Sequence, residues 1–190
     1  MKHIIASMLV CALFLLQGMT PGRDNMLRNG DFEKFTGNEP DGWTTTNIPK
    51  ILTVVSPSTQ CHAGKYAVRC DVKDFYGSKV AGMIIQKGVA IRGSSLTLSG
   101  FYLLHSAGGD AGFISLELQS AEGNTVKICQ ENLRNPAASF TRFTMTGDVP
   151  AGAVLLDIKL TVLAGPGSEK LHEGTFIVFD ALELVPTLNG

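Results

Sequence analysis

Phe113-Ile-Ser-Leu-Glu-Leu-Gln119 alternates apolar and polar residues from Ile114 onward, which is the period of a β-strand that places one face in a core. The four residues Ala121-Glu-Gly-Asn124 then supply a turn signal, and Thr125 to Gln130 follows as a second β-rich run. This pattern predicts an antiparallel hairpin with Ile114, Leu116 and Leu118 in the core. Glu117 and Gln119 then lie on the opposite face.

Similar runs recur along the chain after residue 22, where no stretch of helix length shows a convincing period of 3.6. Many short strands separated by turn residues predict an all-β sandwich or barrel. We find no internal repeat and no linker, so residues 23–190 are interpreted as one domain. The other runs are Ile51 to Ser56, Lys65 to Val72, Val80 to Gln86, Ser95 to His105, Phe140 to Thr146, Val154 to Leu163 and Thr175 to Val185.

The first 22 residues have the pattern of a secretory signal peptide. A short basic start is followed by an apolar run from Ile4 to Leu16, and small or turn residues end the run. The run is shorter than the roughly 18–20 residues of a membrane-spanning helix. We therefore expect the mature chain, without a membrane span, to be secreted or to lie in the periplasm or cell envelope. A buried or membrane-anchoring helix is the alternative.

Charge and cysteine content narrow the function classes further. The net charge is −1 and there is no basic block, which argues against a nucleic acid as partner. Cys61, Cys70 and Cys129 remain after the predicted cleavage, and no pair of them has zinc-site spacing. A bridge between Cys61 and Cys70 requires the chain to fold back, so buried free cysteines are the alternative.

Two stretches carry a family resemblance. Asn25-Met-Leu-Arg-Asn-Gly-Asp-Phe-Glu33, with Pro40-Asp-Gly-Trp43 after it, opens the domain, and Thr175-Phe-Ile-Val-Phe-Asp-Ala-Leu-Glu-Leu-Val185 closes it. Together they resemble the carbohydrate-binding modules of the family 4/9/22 type. The resemblance implies a jelly-roll β-sandwich of the galactose-binding-domain-like kind, with a polysaccharide or glycan as partner. The chain departs from the pattern at three positions. Ala181 stands where the family has a second acid, Phe140 where tryptophan is common, and Ala63 where serine is common.

The resemblance also implies a structural calcium ion. Its ligands would be the carboxylates of Glu33 and Asp180, with backbone carbonyls near Asp31 and Lys65. Oxygen ligands of this kind suit a hard divalent cation. The alternative is that Glu33 and Asp180 are solvated or paired with lysine.

Strand alternation suggests where a ligand binds. If Leu96, Leu98 and Leu104 fill the core, their neighbours face outward, and we expect the outward set to form one surface with the outward residues of Phe113 to Gln119. Phe101, Leu103 and Phe113 could instead be covered by a loop or another subunit. The loop around Tyr76, with Asn47, is a second candidate, whereas Trp43 is expected to pack in the core. The predicted ligand-binding residues are Phe101, His105, Glu117, Gln119 and Tyr76.

The leading functional prediction is a secreted, non-catalytic carbohydrate-binding protein. An envelope structural or adhesion protein that uses the sandwich for protein contacts is the alternative. A glycoside hydrolase or lyase is the third hypothesis, since Glu117 and Asp157 could meet as paired acids. No G-x-S-x-G, H-E-x-x-H or P-loop motif occurs, so we do not predict an enzyme. The glycan and the oligomeric state stay open.

Overall fold

In a computed structural model, residues 24–136 and 139–187 are described, and they form thirteen β-strands and no helix. The predicted signal peptide lies outside these residues. Within the same ranges, no helix is long and apolar enough to cross a membrane. The strands are β1 (Phe35–Thr36), β2 (Glu39–Pro40), β3 (Thr44–Thr45), β4 (Val55–Ser58), β5 (Ala67–Phe75), β6 (Ser78–Ala81), β7 (Ile84–Ala90), β8 (Ser95–His105), β9 (Ala111–Gln119), β10 (Thr125–Leu133), β11 (Thr141–Asp148), β12 (Leu155–Leu163) and β13 (Phe176–Pro186).

Two antiparallel sheets form a sandwich. The five-stranded sheet has the order β10-β9-β12-β7-β3. The six-stranded sheet has the order β11-β8-β13-β5-β4, and β6 pairs with β5. Consecutive strands β7, β8 and β9 alternate between the two sheets, so the connections cross from one layer to the other. This all-β jelly-roll sandwich confirms the predicted fold class.

The core lies between the sheets and follows the predicted alternation. Ile114, Leu116 and Leu118 enter it from the five-stranded sheet, while Leu98 and Leu104 enter it from the six-stranded sheet. Each buried leucine or isoleucine contributes about 1.5–3 kcal/mol relative to an exposed one. The hairpin of β9 and β10 is also confirmed, with Ile128 opposite Glu117 and Gln130 opposite Ser115.

Two strand predictions differ most from the observed bounds. The run Ile51 to Ser56 becomes a strand only at Val55, and the strand continues through Pro57, which is tolerated because β4 is an edge strand, where a missing N–H need not break the ladder of hydrogen bonds. The run Val80 to Gln86 is split at Gly82, where the chain passes from β6 to β7 and so from one sheet to the other. A Cβ atom at Gly82 would lie 2.2 Å from the carbonyl oxygen of Val54, so only glycine fits this crossing.

Residues of the opening motif tie the two ends of the domain together. The Asn25 side-chain amide donates to the Leu182 carbonyl (2.8 Å), and its oxygen accepts from the Leu184 N–H (2.9 Å). Trp43 is 6% exposed, and its indole N–H donates to the Arg28 carbonyl at 3.0 Å. The predicted packing role of Trp43 is therefore confirmed.

The cysteines act as isolated thiols in the described residues. Cys70 is fully buried, and burial raises the pKa of its thiol. Cys61 and Cys129 are half-buried, and no disulfide joins the three.

Candidate functional site

The predicted ligand-binding residues do not form one surface. Phe101 and His105 lie on the outer face of the six-stranded sheet, in β8, whereas Glu117 and Gln119 lie on the outer face of the five-stranded sheet, in β9. The prediction of a shared surface was wrong because β8 and β9 belong to opposite sheets. Their outward residues point away from each other across the core.

The outer face of the six-stranded sheet is partly covered by a loop, as the alternative prediction held for Phe101 and Leu103. The His62 ring stacks on the Phe101 ring with 3.4 Å between centroids and an interplanar angle of 14°. Phe140 contacts the same imidazole from the side at 5.9 Å, and Leu103 is buried with Ala67 and Val178. His105 stays exposed and stacks on Phe176. Phe101 is therefore not free to stack on a ligand in this conformation.

Four polar side chains lie side by side on the outer face of the five-stranded sheet, and we call them the polar row (Glu117, Gln119, Asp157 and Lys159). Asp157 in β12 is directly opposite Glu117 in β9. The Lys159 ammonium lies 3.6 Å from Glu117 Oε2, and the Gln119 amide donates to Asp157 Oδ2 at 3.4 Å. The Gly88 N–H donates to Asp157 Oδ1 at 2.8 Å. Three neighbouring strands thus hold the row in place.

The electrostatics of the row keep Glu117 ionised. The Thr125 hydroxyl donates to Glu117 Oε1 and is the main cause that lowers the pKa of this carboxyl. Burial is the next-largest effect and raises the pKa, while the hydrogen bonds from Gln119 and Lys159 and the charge of Lys159 each lower it by less. A carboxyl with a lowered pKa accepts hydrogen bonds at neutral pH and is a poor proton donor.

Apolar side chains border the polar row. Ile128, 54% exposed, is the cross-strand neighbour of Glu117 on β10, and Ile85 is the neighbour of Lys159 on β7. Phe113 lies further along β9 beside Thr161 and is the one aromatic residue of the five strands in this sheet. Polar groups that bind hydroxyls, between apolar surfaces that contact C–H groups, form a surface suited to a sugar ring.

Asp157 and Lys159 were not predicted as ligand-binding residues. The alternation Leu-Leu-Asp-Ile-Lys-Leu over residues 155–160 already places Asp157 and Lys159 on the side opposite the core residues Leu156 and Ile158. The missing information was the pairing of β12 with β9, since these strands are more than 30 residues apart in the chain.

The two residues of the second candidate site have different roles. Asn47 holds its own loop, since its side-chain oxygen accepts from the Val54 and Val55 N–H groups at 2.8 Å each. Tyr76 is 90% exposed at the tip of the β5–β6 hairpin, where its ring meets the neighbouring Phe75 ring edge-on, with 4.7 Å between the centroids.

The two carboxylates among the predicted calcium ligands, Glu33 and Asp180, contact one loop, residues 61–66, from two sides. Glu33 Oε1 accepts from the N–H groups of Lys65 (2.8 Å) and Tyr66 (3.0 Å), and these bonds lower the pKa of Glu33. Asp180 Oδ2 accepts from the N–H groups of His62 (2.6 Å) and Ala63 (3.0 Å). We call this pair of carboxylates with its four amides the loop clamp.

The loop clamp fits a calcium ion only in part. Two carboxylates are available, but the oxygens that face the loop already accept amide N–H groups, and calcium needs six to eight oxygen ligands. Among the described residues, no three His, Cys, Asp or Glu side chains are grouped closely enough to hold a metal. Asp31 lies in a different shallow cleft, beside Ala181 and Leu182. Calcium stays a prediction.

Comparison with solved structures shows which proteins share this fold. A family 16 carbohydrate-binding module matches with a TM-score of 0.57 and 17% identity, over 85% of this chain and 99% of that chain. A family 61 module in complex with β-1,4-galactotriose matches with a TM-score of 0.55 and 16% identity, over 84% and 97%. The protein has the fold of the carbohydrate-binding modules.

The enzymatically active domain of tailspike protein 4 from bacteriophage CBA120 shares this carbohydrate-binding-module fold over part of its length. It matches with a TM-score of 0.62 and 16% identity, over 85% of this chain but only 21% of that chain. This chain therefore spans about a fifth of the tailspike domain. Protein-family models and curated proteins give no match to the sequence.

Proposed function

We propose that this is an exported, non-catalytic glycan-binding protein whose ligand lies on the outer face of the five-stranded sheet. The observation that carries the proposal is the polar row, which presents an ionised carboxylate, an amide and an ammonium group between apolar neighbours. Such groups bind sugar hydroxyls through charge-assisted hydrogen bonds. The carbohydrate-binding-module fold supports sugar binding, and the exported location depends on the sequence of residues 1–22 alone.

The non-catalytic part of the proposal has its own support. Hydrolysis of a glycosidic bond needs one carboxylic acid that stays protonated, usually because burial raises its pKa. Glu117 faces Asp157 across the strands, but the pKa of Glu117 is lowered and not raised. Release of reducing sugar from a retained polysaccharide would contradict this part of the proposal.

Affinity gel electrophoresis tests the binding surface. β-1,4-Galactan is the first probe because the family 61 module was solved with β-1,4-galactotriose, and xylan, β-glucan and mannan complete the panel. We expect Gln119→Ala and Lys159→Ala each to weaken binding about tenfold, which corresponds to ~1.4 kcal/mol. His105→Ala, on the opposite sheet, is the matched control and should bind like the wild type.

Two results would overturn the proposed surface. Loss of binding in His105→Ala, with binding kept in Gln119→Ala and Lys159→Ala, would move the site to the six-stranded sheet. Failure of every polysaccharide to retain the wild type would favour the structural or adhesion alternative. One observation favours that alternative: β10 is an edge strand with Val126 and Ile128 exposed, and an exposed edge can pair with another protein.

A further inference from the structure

β10 is an edge strand, and no strand among the described residues pairs with its outer side. It has nine residues, and most of its side chains are exposed, with Val126 at 40% and Ile128 at 54%. A row of unpaired N–H and C=O groups along an exposed edge is a template for pairing with another chain. The sequence of β10 indicates which chain fits this edge.

The backbone groups of β10 that point outward follow from the pairing inside the sheet. The Gln119 carbonyl accepts from the Val154 N–H at 2.8 Å, so Gln119 directs its backbone groups toward β12. Because these directions alternate along a strand, Leu116 directs its N–H and C=O toward β10, where its partner is Cys129. The N–H and C=O of Cys129 therefore point into the sheet, whereas those of its two neighbours in sequence point outward.

The charges of β10 are arranged symmetrically about Cys129. Lys127 precedes Cys129 by two residues and Glu131 follows it by two, so the three side chains lie on the same side of the strand. The Lys127 ammonium donates to the Asp148 carbonyl at 3.3 Å. The Glu131 carboxylate is exposed and forms no ion pair with the described residues. If a second β10 pairs antiparallel with Cys129 opposite Cys129, each Lys127 is opposite the partner's Glu131.

This register is the one that joins opposite charges. Charged residues on an edge strand usually prevent pairing, because like charges meet across the new contact. Here unlike charges meet, and such cross-strand pairs are favourable. The neighbouring registers that also pair the outward backbone groups place Lys127 opposite Cys129 or Leu133 of the partner, and they leave both charges without a partner. Charge complementarity therefore favours a second copy of the chain in one register.

We propose that two copies of this chain associate through their β10 strands, antiparallel and centred on Cys129, so that the two five-stranded sheets join into one sheet of ten strands. The contact contains two Lys127–Glu131 pairs, and the outward backbone groups of Ile128 pair with those of the partner's Gln130. The two-fold axis is perpendicular to the sheet, so both polar rows lie on the same side of it. The inference goes beyond the proposed function and does not depend on it, because the contact involves no ligand.

Sedimentation velocity of the full mature chain tests the association. One strand from each copy makes a small interface, so we expect a reversible dimer that is populated at about 100 µM protein. Lys127→Glu and Glu131→Lys each place two pairs of like charges across the contact and should weaken dimerisation about tenfold. The double variant restores unlike charges and should dimerise within about threefold of the wild type. Lys87→Glu, exposed in β7 of the same sheet, is the matched control and should dimerise like the wild type.

Cys129 reports the register. Opposite residues whose backbone groups point away from each other have Cα atoms about 4.5 Å apart, which is within the range that a disulfide spans. Diamide takes up two electrons and two protons as two thiols become one disulfide, so it should produce a covalent dimer on a non-reducing gel. Cys129→Ser should abolish this dimer. Cys61→Ser should keep it, since Cys61 is also a half-buried thiol but lies outside β10.

Three results would overturn the inference. The first is a wild type that stays monomeric at about 100 µM. The second is a dimer that both single charge variants keep, or that the double variant fails to restore. The third is a covalent dimer that is absent from the wild type or survives Cys129→Ser. Because sedimentation is measured without polysaccharide, dimerisation supports the inference whether or not the proposed glycan binding is found.

Discussion

Replacement of Asp180 by alanine tests the loop clamp most directly. The carboxylate is 1% exposed and accepts three backbone N–H groups, from His62, Ala63 and Ala181. The replacement deletes all three bonds at once. It also removes a buried charge, whose burial is the main cause that raises the pKa of Asp180.

The expected loss in the free energy of unfolding of Asp180→Ala follows from these contacts. Three hydrogen bonds to a charged group contribute about 1.5–3 kcal/mol each, or roughly 5–9 kcal/mol together. Part of this is recovered, because the buried charge disappears and because His62 and Ala63 lie in an exposed loop where water can reach their N–H groups. We expect a net loss of about 2–4 kcal/mol in the free energy of unfolding. For a domain of this size, this lowers the melting temperature by about 5–12 °C.

Thermal unfolding followed by circular dichroism at pH 7 measures the effect. Glu183→Ala is the matched control, because Glu183 is an exposed acid on the same strand whose side chain forms no hydrogen bond with the described residues. A melting temperature of Asp180→Ala within about 1 °C of the wild type would refute the reasoning. The same experiment with EDTA tests calcium. If calcium binds, EDTA lowers the melting temperature of the wild type but not that of Asp180→Ala, and an unchanged wild-type curve removes the calcium prediction.

The loop clamp gives two further predictions. Gly64→Ala should lower the melting temperature more than Gly37→Ala, because both residues have positive φ but only the Cβ at Gly64 would meet Glu33 Oε1, at 2.1 Å; equal losses in the two variants would contradict the contact. Glu33→Gln should be less stable than the wild type at pH 7, because the Tyr66 and Lys65 amides lower the pKa of Glu33 and favour its ionised form in the fold. The difference in the free energy of unfolding between the wild type and Glu33→Gln is present above the ordinary pKa range of glutamate and is lost as the pH falls through the lowered pKa of Glu33. Chemical denaturation at pH 7 and in acid should therefore show a difference that disappears in acid. A difference that stays constant with pH would contradict this link between the pKa and stability.

Strand alternation in the sequence was enough to predict the class of fold and much of its core. Leu98, Ile114 and Leu118 are buried as their alternation indicates, since a strand with one face in a core must repeat every two residues. The opening and closing motifs also pointed to the right fold family. These features are local, and local patterns are visible in one sequence.

The site depended on information that alternation does not contain. Whether a residue faces outward can be predicted from its own strand, but which outward residues share a surface depends on the sheet to which each strand belongs. Glu117 and His105 both face outward, yet they lie on opposite sides of the sandwich because the loop between β8 and β9 passes from one sheet to the other. Asp157 became a partner of Glu117 only through the pairing of β12 with β9.

The Asn25 contacts with β13 have a mechanical consequence. Asn25 bonds to Leu182 and Leu184, and the Met26 N–H donates to the Leu184 carbonyl at 2.9 Å, so both ends of the folded domain leave from neighbouring points. A force that pulls the two ends apart therefore loads these few bonds first, one after another, before it reaches the long strand pairs. Tension along the chain would break the bonds of this short contact one at a time, while the two sheets and the surfaces they present stay intact.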